Sequence, residues 1–427
     1  MRPLVHLFPS PETRARLLEV SRGEAPPELV ILGARVADVY TGTWVEANLE
    51  VVLGRVAYLG PRRPQLGKDT EVVEARGLWV VPGYLEPHAH PWVLYNPLSL
   101  LEVLVPQGVT LLIYDDLLFR LHLGGEGAAR VRQAFADLSL PARVLWSVRL
   151  APQSLLSEAE GETFSHEALS LLDDPLVACS AEITRWPSVV AGEEGLLRGV
   201  AKVRALGLRA EAHGAGASYE RLATLAAPGL ESDHEAIRSE EVRDRLRLGF
   251  WTLLRHSSLR PDLPDLLRGL SPPLPSRLML TTDGAAPSFY ARKGFPALLE
   301  AVAERMGSLE ALRLATLNPA TFLGLDNILG RVAPGRLADF LLLEDPKFFH
   351  PLAVYLGGKL VAREERLLHP LPPWPWGEPL AFAEAPPRSS AWRMLLSPGG
   401  PRLPQGPLLP TSWTLGGGGR CRPGWMV

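Results

Sequence analysis

"GYLEPHAHPW", residues 83–92, closes an apolar run with two histidines one residue apart, directly after Pro82. Side chains alternate faces along a strand, so His88 and His90 share a face and could grip one ion. Two polar residues where a strand meets a loop is the plainer alternative, and the surrounding chain has to decide. Upstream, residues 28–81 carry the β-type runs "ELVILGARVADV", "LEVVLGRVAYLG" and "TEVVEARGLWVVPG", parted by glycine and polar turns, which predict a small sheet. Downstream, from 83 to about 325, strand and helix patterns alternate. Strands are predicted at 83–90, 109–116, 143–150, 176–183, 208–214, 230–235, 250–258 and 277–284, with helical stretches such as "EGLLRGVAKVRAL" and "SEEVRDRLRL" between them. Eight strands interleaved with helices argue for an α/β fold, a (β/α)8 TIM-like barrel.

After Gly330, "RVAPGRLADFLLLED" and "PLAVYLGGKLVARE" return to β-type runs. They are expected to complete the N-terminal sheet as a small β-sandwich domain built from both ends of the chain. The expected division is 1–82 and 326–370 for that domain, 83–325 for the barrel, and 371–427 for an irregular tail rich in Pro, Trp and Gly. Neither apolar period persists through the tail.

Composition narrows the chemistry. A 46% apolar and 21% charged chain can bury a large core. Its net charge of −3 gives no electrostatic reason to expect nucleic acid or an anionic membrane as partner. No charged leader followed by an apolar stretch opens the chain, and no run of eighteen apolar residues occurs, so a cytoplasmic protein with a small-molecule substrate is expected. Homo-oligomer formation is left open. With Cys179 and Cys421 as the only cysteines, no thiolate-rich zinc site can form. Any metal must be held by histidine and carboxylate.

The rim formed by the strand ends is where barrels of this kind place their chemistry. Strand one ends in His88 and His90, strand four in Glu182, strand five in His213, strand six in His234 and strand eight in Asp283. Four of the ten histidines fall at these ends, which chance placement explains poorly. Such a set of imidazoles and carboxylates could hold one divalent ion, or two if a carboxylate bridges, and its donors suit Zn, Fe(II) or Mn(II). A metal with an open position lowers the pKa of its water to about 7, and Asp283 could take that water's proton and pass it to a leaving group. Taken singly, each residue has a plain reading. His213 could sit in an ordinary glycine turn, Asp283 could cap one, and Glu235 could cap the segment after strand six. His6, His122, His166, His350 and His369 fall outside the rim pattern and are expected at the surface.

Together, "PGYLEPHAH", the "AEI" around Glu182, "AHGAG", "SDHE" at 232–235, "TTDG" and "LATLNPATFLGL" resemble the amidohydrolase superfamily and, within it, the adenine deaminases. The resemblance covers roughly residues 15–362. It implies hydrolysis in which hydroxide attacks C6 of adenine and ammonia leaves. It implies one metal on His88 and His90, a bridging Glu182, a second metal on His213 and His234, and Asp283 as proton shuttle. Glu235 is expected to orient the purine, and Arg255 and Ser257 to belong to the substrate shell together with Asp115.

Several motifs depart from the family pattern. "PWVLYNP" follows the histidine pair where Ile-Glu-Ser-Ser is usual, and strand two ends in "DDLLF" where the family has Asp-Pro-His-Glu. "RHSS" stands for Arg-Glu-Gly-Ser, and Gly284 follows Asp283 where a second aspartate is usual. The metal set survives while the substrate shell changes. The leading expectation is therefore a divergent deaminase of adenine or a related purine. Next stands an amidohydrolase opening a cyclic amide or N-acyl C–N bond, and third a metal-binding barrel without turnover.

Overall fold

The computed structural model describes residues 7–91, 95–153 and 156–373. The tail beyond 373 and part of the "PWVLYNP" segment, 92–94, lie outside them. Apolar side chains recur at every second position of the first runs, so the chain buries them best as strands with one covered face. These are β1 (Leu29–Asp38), β2 (Thr43–Val52), β3 (Arg55–Gly60), β4 (Glu71–Glu74) and β5 (Trp79–Pro82).

Eight parallel strands follow: β6 (Tyr84–Ala89), β7 (Val109–Asp115), β8 (Arg143–Val148), β9 (Val177–Ser180), β10 (Glu211–Ala212), β11 (Ser232–Asp233), β12 (Trp251–Arg255) and β13 (Leu278–Thr281). Each lies within one of the eight predicted segments, so the fold is the α/β barrel of the prediction. Helices such as Leu117–Ala136, Glu194–Ala205 and Ser239–Arg247 separate the strands. Last come β14 (Phe340–Leu343), β15 (Ala353–Leu356), β16 (Lys359–Arg363) and β17 (Arg366–Leu367). They join the first five in a single sheet, ordered β17-β16-β15-β14-β5-β1-β2-β3 with β4 on β1. Antiparallel pairing of β14 with β5, Leu341 opposite Val81, is where the strands before the barrel meet those after it. Leu29, Ile31, Val36, Leu49, Val80, Phe340 and Tyr355 form the core of this nine-stranded domain.

The barrel strands run as two parallel halves, β6 to β9 and β10 to β13. Parallel bridges from Cys179 to Arg209 and from Ile183 to Ala212 join the halves on one side. On the other, the fully buried Glu86 carboxylate does the joining. It accepts Thr281 Oγ1 at 2.6 Å, Thr282 Oγ1 at 2.6 Å and Thr282 N–H at 2.9 Å. A carboxylate taken out of water is stable only with such donors, so Glu86 pins the first barrel strand to the last and fixes the rim between them.

Candidate active site

Strand alternation and the parallel direction deliver a set of polar side chains to one end of the barrel. His88 lies in β6 with His90 just beyond it, Asp115 ends β7, and Arg149 directly follows β8. Glu182 follows β9, Glu211 lies in β10 with His213 after it, His234 and Glu235 follow β11, Arg255 ends β12, and Asp283 follows β13. His88, Glu182, Glu211, His234, Glu235, Arg149 and Arg255 are buried, while His90, His213 and Asp283 keep 15–26% of their side chains open to solvent.

Two groups of donors face each other. His88 Nε2 lies 2.9 Å from His90 Nε2, and Asp283 Oδ1 is 3.2 Å from both nitrogens. Opposite them, Glu182 Oε2 is 3.2 Å from His234 Nε2 and in contact with His213 Nδ1. Donor atoms about 3 Å apart have the separation of neighbours on an ion whose bonds are about 2.0–2.2 Å long. The His88, His90 and Asp283 group and the Glu182, His213 and His234 group both satisfy this, so the residues fit a divalent ion.

Glu211 sets the direction of two of these imidazoles. Its carboxylate accepts from His88 Nδ1 at 3.1–3.2 Å and from His234 Nδ1 at 3.0 Å, which leaves both Nε2 atoms facing the interior. A carboxylate behind a ligating histidine fixes its tautomer and raises its basicity. Glu211→Gln is therefore expected to lower divalent-metal affinity about 10–100-fold, measured by competition against a chromophoric chelator. Unchanged affinity would remove this orienting role.

Charge follows from the same contacts. Burial would raise Glu182, but Arg149 and hydrogen bonds from His213 and His234 hold it well below the usual carboxylate range. Asp283 is likewise held low against burial by hydrogen bonds from His88 and His90. Glu211, pushed up by burial, is carried to about 2 by His88 and His234. Burial and the neighbouring His88 oppose protonation of His234, yet its bonds to Glu182 and Glu211 bring it to about 10. These carboxylates are ionised at neutral pH and ready to bind a cation.

Two arginines clamp the rim. Arg255 Nη1 donates to Glu235 Oε1 at 2.5 Å and to Asp283 Oδ2 at 2.7 Å, leaving Asp283 Oδ1 for the imidazoles. Asp283 sits in the left-handed region at φ 51°, a strained setting for a residue with a Cβ that is found at functional sites. The next residue, Gly284, lies at φ 71°, a conformation that side chains rarely adopt, and a Cβ there would crowd His90 Cβ at 3.3 Å.

The structure brings together all six residues expected to hold metal. Asp115 instead accepts Leu117 N–H on Oδ1 and Arg149 Nε on Oδ2, so both of its oxygens are engaged. Ser257 Oγ accepts Arg260 N–H at 3.3 Å within its own loop, with its O–H left to donate elsewhere. Glu182 turns Oε2 to His213 and His234 and Oε1 to Arg149. The sequence reading passed over Glu211, Arg149 and Glu86. Alternation could have found two of them, since Glu211 is two residues before His213 and Glu86 two before His88 on the same strand faces.

A barrel with imidazoles and carboxylates at its strand ends, joined to a sheet built from segments on both sides of it in the sequence, defines a class of α/β barrel with a candidate metal centre. The chain belongs to the amidohydrolase family, whose model matches residues 79–361. It is 36% identical over 363 residues to a provisionally named adenine deaminase of Picrophilus torridus, covering 84% of this chain and 62% of that one. It is 37% identical over 364 residues, with the same coverages, to another provisionally so named from Halalkalibacterium halodurans. An adenine deaminase of Deinococcus deserti is 36% identical over 351 residues, 81% of this chain and 62% of that one. The chain thus spans about 62% of the length of these relatives. Among solved structures, a D-hydantoinase superposes with TM-score 0.59 at 14% identity over 79% of this chain and 96% of that one. A molinate hydrolase gives 0.57 at 16% identity over 79% and 95%. These two likenesses speak to the fold alone. Among the described residues no helix is long and apolar enough to cross a membrane.

Proposed function

We propose that this chain hydrolyses the exocyclic C–N bond of adenine or a related purine, releasing ammonia, with a divalent Zn, Fe(II) or Mn(II) ion at the strand ends. The observation that carries the reading is the convergence of His88, His90, Glu182, His213, His234 and Asp283 on one rim. The resemblance of the chain to adenine deaminases supports the substrate. When bound, such an ion supplies Lewis acidity and a water acidic enough to react near neutral pH.

The protein's own residues do the rest. His88 and His90 on one side, and Glu182, His213 and His234 on the other, would hold the metal. Asp283 has one oxygen fixed by Arg255 and the other beside the imidazoles, so it accepts a proton at Oδ1 and returns it to the departing amine. Glu235 keeps Oε2 free of Arg255, and that oxygen accepts an N–H of the base and sets its orientation. Arg255 positions both carboxylates. Ser257 offers its O–H to the ring, while Asp115 acts through Arg149.

A second reading is favoured by the closed ion pair of Asp115 with Arg149. It fills the rim at strands two and three with mutually satisfied groups, leaving fewer polar atoms to read a purine. In that reading the same centre opens a cyclic amide or N-acyl bond. Metal-loaded protein should release ammonia from adenine in a panel of nucleobases, nucleosides and cyclic amides, and a chelator should stop it. Ring opening without ammonia from any purine would select the second reading. No turnover of either kind would leave a binding protein.

A further inference from the structure

Glu235 gives Oε1 to Arg255, and among the described residues its Oε2 makes no hydrogen bond. Facing Oε2 at 3.7 Å is Nη2 of Arg260, in the loop that follows β12. That separation is too long for a hydrogen bond. The Arg260 head is nonetheless held in place. Its Nε donates to Asp262 Oδ2 at 3.1 Å, its backbone N–H donates to Ser257 Oγ at 3.3 Å, and its carbonyl accepts Ser257 N–H at 3.1 Å. Neither terminal nitrogen of Arg260 makes a hydrogen bond among the described residues, and 39% of the side chain is open to solvent. Arg255 cannot take the same part, because its Nη1 is shared between Glu235 and Asp283 and its Nη2 faces Asp262 at 3.8 Å.

We infer that Glu235 and Arg260 form an acceptor–donor pair that selects ligands by an N–H with a lone-pair atom beside it. The inference rests on the assignment of Glu235 to an N–H of the base. A carboxylate oxygen only accepts and a guanidinium only donates. At 3.7 Å the two leave each other unsatisfied, and each can take one of two neighbouring ligand atoms. Adenine offers that pattern as an N–H next to a bare ring nitrogen, and a cyclic amide offers it as N–H beside C=O. An anionic group is disfavoured, because Arg260 lies between the carboxylates of Glu235 and Asp262 and a negative ligand would meet both. A ligand that covers the mouth without a lone pair at this place takes water from the guanidinium and returns no acceptor, which costs binding.

The test compares metal-loaded Arg260→Met with wild type on adenine and its 1-deaza, 3-deaza and 7-deaza analogues, each of which replaces one ring nitrogen by C–H. Specificity constants come from ammonia release, and dissociation constants from calorimetric titration for ligands that are not turned over. The substitution is expected to weaken adenine about 10–100-fold, the worth of a hydrogen bond from a charged donor. One analogue, which lacks the nitrogen that Arg260 reads, is expected to change by less than about threefold, since it has no such bond to lose. An equal loss for all four ligands would mean that Arg260 acts through the charge or shape of its loop, and would overturn the inference. An unchanged value for adenine would overturn it as well. Adenine that binds without releasing ammonia would end the deaminase reading, and the dissociation constants would still decide this one by the same comparison. Adenine that neither binds nor reacts would overturn both.

Discussion

Asp283→Asn is expected to lower the rate of ammonia release by about 10²–10⁴-fold, the usual contribution of a positioned acid–base group, while the metal content stays close to wild type. Asp283 has a divided environment: Arg255 donates to Oδ2, and Oδ1 lies between the Nε2 atoms of His88 and His90. An asparagine cannot satisfy both. Its only oxygen is best placed on the Arg255 donor, because an amide N–H₂ there would face another donor. The N–H₂ group then points to the imidazoles, where the mechanism needs a proton acceptor. Four imidazoles and Glu182 remain to hold the ion. Steady-state kinetics with elemental analysis of the same preparation check this. A rate within a few-fold of wild type would remove Asp283 from proton transfer, whereas loss of the metal would make it chiefly a ligand.

Metal affinity is expected to rise steeply with pH. In the ion-free protein burial opposes the charge on His88, but Glu211 and Asp283 raise its pKa well above an imidazole's usual value. His234 is brought to about 10. Both imidazoles therefore carry protons between about pH 6 and 8, and an ion can use their Nε2 atoms only by displacing those protons. Each displaced proton adds about tenfold in apparent association constant per pH unit, so an increase of about 10–100-fold per unit is expected across that range. Stability of the ion-free form has the opposite slope. A raised imidazole pKa stabilises the fold fully below the unfolded value of 6.5, and the contribution is lost as pH rises through the folded value, about 10 for His234. Calorimetric titration in buffers of different ionisation enthalpy measures the protons released. Affinity independent of pH would show that the histidines bind the ion without giving up protons.

The sequence showed the strand ends better than it showed what supports them. His88, His90, His213 and His234 were legible because each terminates a β-type run, and alternation fixes the face of a residue relative to its neighbours two positions away. Arg149 was not, since its meaning lies in partners on other strands, Asp115 and Glu182, and no local period reports a pairing across a sheet. Alternation puts Glu86 on the face of His88, but what it does there was hidden for the same reason: its partners Thr281 and Thr282 lie almost two hundred residues away. Gly284 reads in sequence as a lost aspartate, and only the fold shows its left-handed backbone and the crowding that a Cβ would meet at His90. The N- and C-terminal runs were legible as strands of one domain, but the pair that joins them, Phe340–Leu343 against Trp79–Pro82, is a matter of register that composition does not encode. The expected tail lies outside the described residues beyond 373.

The central claim is that one rim of this barrel holds a divalent transition ion. Anomalous diffraction from crystals of the protein reconstituted with Mn(II) or Zn tests it most directly. The account predicts a peak at coordination distance, about 2.0–2.3 Å, from imidazole nitrogens drawn from His88, His90, His213 and His234 and from an oxygen of Glu182 or Asp283. A fully loaded crystal with its only peaks elsewhere on the protein would contradict it.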